Sequence, residues 1–233
     1  MHRVLQIIPT LDRAGAEKQL CLLAAGLPTD EFEVHVCVLT RGGPRLAELQ
    51  TAGIETTVIG KRWKADPLAL AQLVRHLRRL RPDLVHTWLY AAGVYGRVAA
   101  RAAGVPKVAV GERCVDRWKS GAAWWLERRL ARITDAYVTN SPAVRDYCGE
   151  HGFPTARFTV IPNGVSPAPT SDVTREQLLN ELRLPADARL IGAIGRHWPQ
   201  KRTTDLIWAA DLIRVLHDNM RLLVIGDGPE RAQ

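Results

Sequence analysis

Arg196 and Lys201 bracket a short loop, Gly195-Arg196-His197-Trp198-Pro199-Gln200-Lys201, that follows the apolar run Leu190, Ile191, Ala193 and Ile194. An arginine offers a planar fork of donors to phosphate oxygens, and a lysine adds a point charge. The apolar run reads as a buried strand. The residues after the loop read as a helix start, whose free N–H groups and positive dipole end favour an anion. In open α/β sheets, ligands bind at the carboxyl ends of strands. Two solvated cations on a connecting loop would show the same residue types. The position at a strand end favours a phosphate site built on Arg196 and Lys201.

Three other places carry groups capable of chemistry. Near the start, the run Val4 to Ile8 leads through Pro9 to Ala14 into Gly15-Ala16-Glu17, again a strand, a glycine-containing loop and a helix. That pattern can cradle a phosphate. It lacks the G-x-G-x-x-G fingerprint, so Gly15 also reads as a plain turn residue. His86 falls at the end of the strand Asp83 to Thr87, where it could hydrogen-bond a hydroxyl or a phosphate. Glu112 and Arg113 end the run Val105 to Gly111; they could orient a polar acceptor, or simply pair with each other.

The elements that must position these groups alternate strand and helix along the chain, which implies parallel sheets. Further strands are expected at Phe32 to Leu39, Ile54 to Ile59, Ala136 to Thr139, Phe158 to Ile161 and Arg221 to Ile225. Asp66-Pro67 and Ser141-Pro142 read as helix starts, with a capping side chain followed by proline. The first of these helices places Leu70, Leu73, Val74, Leu77 and Leu80 on one face and Arg75, Arg78 and Arg79 on the other. The helix Ala91 to Ala103, rich in alanine and glycine, is expected to pack close to the sheet. In Trp118 to Arg132, tryptophans alternate with Lys119, Arg128, Arg129 and Arg132. Such a segment can lie on an anionic membrane, but the preferred expectation is tryptophans in the core and arginines in solvent. Pro162 to Ser171 is dense in Pro, Gly, Asn and Ser and reads as a linker.

With 233 residues the chain has room for one large or two smaller domains. The net charge of +8 suggests an anionic partner. Its basic residues are dispersed and match no nucleic-acid motif, so nucleic acid is not expected. The four cysteines form no ligand pair and suit buried thiols in a reducing compartment. The first residues make too short an apolar run for a signal peptide. No run approaches the ~20 apolar residues needed to span a bilayer. A cytoplasmic protein is expected, peripheral at the inner face of the membrane if the basic, tryptophan-bearing surface engages it.

Five stretches together resemble the retaining glycosyltransferases of family 4, which have the GT-B fold. They are Ala14-Gly15-Ala16-Glu17, Pro82-Asp83-Leu84-Val85-His86-Thr87, Val160-Ile161-Pro162-Asn163-Gly164-Val165, the Gly195 to Lys201 loop, and Val224-Ile225-Gly226-Asp227-Gly228-Pro229-Glu230-Arg231. The resemblance covers nearly the whole chain, in the family's order. It implies two Rossmann-like lobes: an amino-terminal acceptor-side domain over residues 1–165, and the start of a donor-nucleotide domain over residues 166–233, incomplete.

The resemblance further implies a nucleotide-diphosphate sugar as donor and a lipid-linked, polysaccharide or small-molecule acceptor. It makes Arg196 and Lys201 catalytic, neutralising the diphosphate leaving group, so that neither a metal nor another cofactor is expected. Gly15, Gly195, Gly226, Asp227 and Gly228 fall with them on the donor-binding side; His86, with Glu112 and Arg113, falls on the acceptor side. Two features depart from the family pattern. Ala14 stands where the family has the first glycine of a pair. The glutamate-rich motif that contacts sugar and ribose lies beyond Gly226-Asp227-Gly228-Pro229, so a truncated enzyme or fragment is expected. A nucleotide-sugar epimerase of the same fold and a non-catalytic binding remnant are the alternatives.

Overall fold

In the computed structural model the chain divides into two units, Met1–Ser166 and Pro167–Gln233. The structure describes residues 1–167 and 170–232; Ala168 and Pro169, within the expected linker, lie outside the described residues.

The first unit is a seven-stranded sheet in the order β3-β2-β1-β4-β5-β6-β7. The strands are β1 (His2–Thr10), β2 (Phe32–Arg41), β3 (Glu55–Val58), β4 (Leu84–Trp88), β5 (Lys107–Glu112), β6 (Ala136–Thr139) and β7 (Phe158–Val160). Every neighbouring pair runs parallel. The helices between them are α1 (Gly15–Gly26), α2 (Leu46–Thr51), α3 (Pro67–Leu80), α4 (Leu89–Ala103), α5 (Gly121–Leu130) and α6 (Pro142–Glu150). Strand order reverses between β1 and β4, so a crevice opens at their carboxyl ends.

Successive residues of β1 face opposite layers, as strand geometry requires. Leu5 and Ile7 pack with Leu73 and Leu77 of α3 and Ala92 and Ala99 of α4. Ile8 packs with Leu20 and Cys21 of α1 and Leu49 of α2. Both faces are apolar because both are covered, which is why parallel strands read as continuous hydrophobic runs. Close packing of α4 on β4 depends on Gly96, where a Cβ would sit 2.4 Å from the Thr87 methyl carbon.

The local signals for helix starts hold. The side chains of Asp66 and Ser141 accept from the N–H groups of Ala69 and Val144. Cys21, Cys37 and Cys148 are buried, Cys114 is exposed, and all four are free thiols. A buried ion pair ties α4 to α5: Arg97 Nη2 lies 2.6 Å from Glu127 Oε1, with both side chains essentially inaccessible. Arg97 Nε also donates to the carbonyl of Gly93, one turn back on α4, at 2.7 Å.

The tryptophans of the 118–132 segment divide, contrary to the expectation that they pack together on the core. Trp124 joins Val110, Tyr137 and Phe153 in the core, whereas Trp118 and Trp125 are 63% and 54% exposed. The reason is local: Trp124 and Trp125 are neighbours on α5, so they cannot share one face.

The second unit carries α7 (Arg175–Glu181), β8 (Arg189–Ile194), α8 (Thr203–Arg214) and β9 (Met220–Ile225). A capping box starts α7, with Thr174 and Gln177 exchanging side-chain-to-backbone bonds. β8 and β9 pair in parallel from Arg189 and Met220 to Ile194 and Ile225. The expected burial of β8 does not hold: Ile191 is 39% exposed and Ile194 is 84% exposed. Among the described residues β9 is the only strand beside β8, and α8 packs on β9. A two-stranded sheet with little covering it leaves apolar side chains in contact with water.

Candidate functional site

In the first unit the candidate residues gather at the carboxyl ends of the strands. β1 delivers α1, whose N-cap residue Ala14 is extended and has no capping side-chain bond. Its first-turn amides therefore lack the acceptor that a Ser or Asp would supply. Gly15 is exposed, with no atom within 4 Å of the place a Cβ would occupy.

β4 delivers His86 and Trp88, whose rings lie 4.8 Å apart. The Trp88 Nε1–H donates to the buried Gln6 Oε1 at 2.7 Å, tying β4 to β1. His86 is 6% exposed, and its Nε2 is buried with no hydrogen-bond partner among the described residues. Burial, and then the nearby charge of Arg113, lower its pKa to about 4. The imidazole is thus neutral at physiological pH, a donor or acceptor and not a cation.

Glu112 and Arg113, adjacent in sequence, part company at the tip of β5. Arg113 stacks over Trp88 at 5.1 Å and donates to Asn163 Oδ1. Glu112 turns inward to the ammonium of Lys119, which lies 3.4 Å from Glu112 and 3.2 Å from Asp116. Lys119 sits over the rings of Tyr90 and Trp124. Burial works against its charge, yet Glu112, Asp116 and Glu127 together raise its pKa above the ordinary lysine value. Reading by sequence did not assign Lys119, Asn163 or Gln19 to the site. Gln19, one turn into α1, accepts from the Gly164 N–H at 2.9 Å and donates to its carbonyl at 2.7 Å. Its partner is remote in sequence; the turn chemistry of Pro162-Asn163-Gly164 and its place among the family-like stretches marked that end.

In the second unit Gly195, Arg196 and Lys201 line a cavity of about 110 Å³ together with His197 and Thr203. Thr203 is the first residue of α8, and the N-cap position, Arg202, is left-handed with no capping side-chain bond. The amides of that first turn are therefore without a side-chain cap, which suits an anion. Arg196 is exposed and stacks over Trp198 at 4.9 Å. The loop after β9 is drawn against the loop after β8: Asp227 accepts through its carbonyl from the His197 N–H at 3.0 Å. Gly226, at φ 153°, makes the approach possible, because a Cβ there would stand 1.8 Å from the Gly195 carbonyl oxygen. Asp227 is exposed and Gly228 half-buried, and the side chain of Asp227 accepts from the Gly228 N–H.

A model of glycosyltransferase family 4 matches residues 13–168 of this sequence. The chain belongs to that family. Beyond the family model, a curated Escherichia coli relative, UDP-Gal:alpha-D-GlcNAc-diphosphoundecaprenol alpha-1,3-galactosyltransferase, is 26% identical over 228 residues, covering 87% of this chain. This chain covers 56% of that relative's length. HepE of Anabaena, solved in complex with UDP and glucose, superposes with a TM-score of 0.79 at 20% identity over 99% of this chain and 62% of its own. A UDP-N-acetylglucosamine 2-epimerase superposes less closely, with a TM-score of 0.61 at 14% identity, over 95% of this chain and 61% of its own. At such identities these structures speak to the fold, and the fold is that of the GT-B glycosyltransferases. This family 4 chain thus spans a little over half the length of its curated relative.

Proposed function

We propose that the protein, with the remainder of the length its relatives have, transfers a glycosyl group with retention from a uridine-diphosphate sugar to a lipid-linked acceptor. The observation that carries this reading is the convergence of Arg196, Lys201 and the uncapped start of α8 on one cavity. In this reading they hold the donor's diphosphate. As the bond to the sugar breaks, negative charge grows on the leaving phosphate. The two cations and the helix amides stabilise it more in the transition state than in the ground state. With those charges in place the mechanism needs no metal ion. The loops carrying Gly195 and Gly226-Asp227-Gly228 shape the donor side. The Gly15 turn belongs to the same donor-binding assignment.

The first unit takes the acceptor in this reading. His86 offers a neutral nitrogen to a hydroxyl, and Arg113 offers a guanidinium to the phosphate of a lipid carrier. Glu112, held by Lys119, acts by anchoring the strand tip that presents Arg113. A lipid-linked acceptor also calls for contact with a membrane. We assign that contact to the exposed Trp118 and Trp125, with Arg129 over the Trp125 ring and Arg128 exposed on the same helix, where aromatic rings and cations suit an anionic interface.

The test is a calorimetric titration of UDP. A charge-assisted hydrogen bond contributes about 1.5–3 kcal/mol, so Arg196→Ala or Lys201→Ala is expected to weaken binding by about tenfold or more. Gly226→Ala is expected to lose binding, because the new methyl group would force the two loops apart. UDP affinity unchanged by all three substitutions would overturn the assignment. Conversion of UDP-N-acetylglucosamine to its 2-epimer with no acceptor present would replace it with the epimerase reading.

A further inference from the structure

The opposite end of the seven-stranded sheet, at the amino ends of β5 and β6, holds a concavity of about 550 Å³ that the donor and acceptor assignments leave unused. Three arginines from three separate segments line it: Arg101 in the last turn of α4, Arg132 just after α5, and Arg157 just before β7. Arg157 is fixed in place, since its Nη1 donates to the carbonyls of Ala131 at 3.1 Å and Thr134 at 3.0 Å. Among the described residues Arg101 and Arg132 make no ion pair; both are exposed. The single carboxylate in the lining, Asp135, is already engaged, one oxygen with the Lys107 ammonium at 3.1 Å and the other with the Val108 N–H at 2.9 Å.

Each arginine has a plain structural role by itself. Cations near helix carboxyl ends offset the helix dipole, and Arg157 donates to the Ala131 and Thr134 carbonyls just beyond the end of α5. Those roles do not require three guanidinium groups to face one hollow with no free carboxylate among them. An anion in the hollow would meet positive charge from three segments, and guanidinium forks match phosphate oxygens in pairs. The volume exceeds what one phosphate fills. We propose that this hollow is a second anion site, separate from the nucleotide loop, that takes a small molecule bearing two or more phosphate groups.

Inorganic pyrophosphate is the probe, titrated calorimetrically at low ionic strength into the full chain carrying Arg196→Ala and Lys201→Ala, so that the nucleotide loop cannot supply the signal. The expected result is saturable binding of one pyrophosphate. Arg101→Ala and Arg132→Ala, which lie away from the core, are each expected to weaken it by about fivefold or more. Arg132→Glu is expected to abolish it. Retained thermal stability of these variants would separate a lost site from a lost fold. Affinity indifferent to Arg101 and Arg132 would overturn the proposal. So would pyrophosphate binding that vanishes with Arg196 and Lys201 alone. Non-saturating uptake of several anions per chain would reduce the hollow to diffuse charge attraction, and Arg132-dependent binding to anionic vesicles but not to free pyrophosphate would reassign it to a lipid surface.

Discussion

The ion pair between Arg97 and Glu127 offers the sharpest energetic test of the first unit. Both side chains are essentially inaccessible, 2.6 Å apart, and Arg97 also holds the Gly93 carbonyl. Within the pair, Arg97 Nη1 and Glu127 Oε2 have no hydrogen-bond partner among the described residues. Replacing one member strands the other charge in the interior, at a cost of about 3–5 kcal/mol. Domain stabilities are on the order of 5–15 kcal/mol. Arg97→Met or Glu127→Leu alone is therefore expected to remove a third or more of the unit's stability and to lower its unfolding temperature by roughly 10 °C. The double substitution removes both charges and both orphaned atoms, and it leaves Lys119 with Glu112 and Asp116 as its acidic partners. It is expected to lie within about 1 kcal/mol of the wild type or above it. Urea unfolding of the full chain, with hydrogen exchange followed in peptides from β5 and β6, isolates this unit from the other. The double-mutant cycle then gives the coupling directly. A double variant as unstable as the sum of its single variants would show that the two charges do not compensate each other, and the argument from burial would fail.

His86 gives a pH dependence of defined sign. Its pKa is lowered by burial to about 4, against the ordinary value of 6.5, so between these the unfolded chain binds a proton that the folded chain does not. Its contribution is complete above the unfolded value and is lost as pH falls toward the folded one, roughly 3 kcal/mol in all; His76, also lowered mainly by burial, acts in the same direction. His86→Asn should flatten the fall in urea midpoint across that window, and identical slopes in the two proteins would show that His86 does not carry it. The exposed Trp118 and Trp125 with Arg128 and Arg129 should sediment the chain with anionic vesicles in preference to neutral ones, the more so at low salt because screening acts over ~8 Å at physiological strength. Equal sedimentation with both would remove the membrane assignment.

Much of this architecture was legible because its signals are local. The caps at Asp66 and Ser141, the glycine-rich packing of α4 and the alternation of strand and helix each depend on residues a few positions apart. What escaped depends on crossovers that bring distant segments together. Glu112 next to Arg113 suggests a local pair, but a strand sends adjacent side chains to opposite faces, and Glu112 meets Lys119 instead. Arg97 and Glu127 give no sign of each other in sequence, because α4 and α5 come together only across β5. β8 misled for a related reason: an apolar run reveals what a strand could bury, and burial depends on neighbours that lie elsewhere. At the loop after β8, the motif marked Arg196 and Lys201. That Gly226 must be a glycine follows only from its approach to Gly195.

The bonds between Gln19 and Gly164 have a mechanical consequence. A side-chain amide that grips both the N–H and the carbonyl of one residue resists twisting of that residue in either direction, and the Arg113 contact to Asn163 adds a second point of purchase one position earlier. Rotation about the bonds of Asn163 and Gly164 is restrained while these contacts hold. The same contacts tie this segment to α1 and to the tip of β5, the two elements that carry Gly15 and Arg113. The end of the first unit is therefore held at Asn163 and Gly164 instead of swinging free, and losing either contact would loosen it from α1 or from the tip of β5.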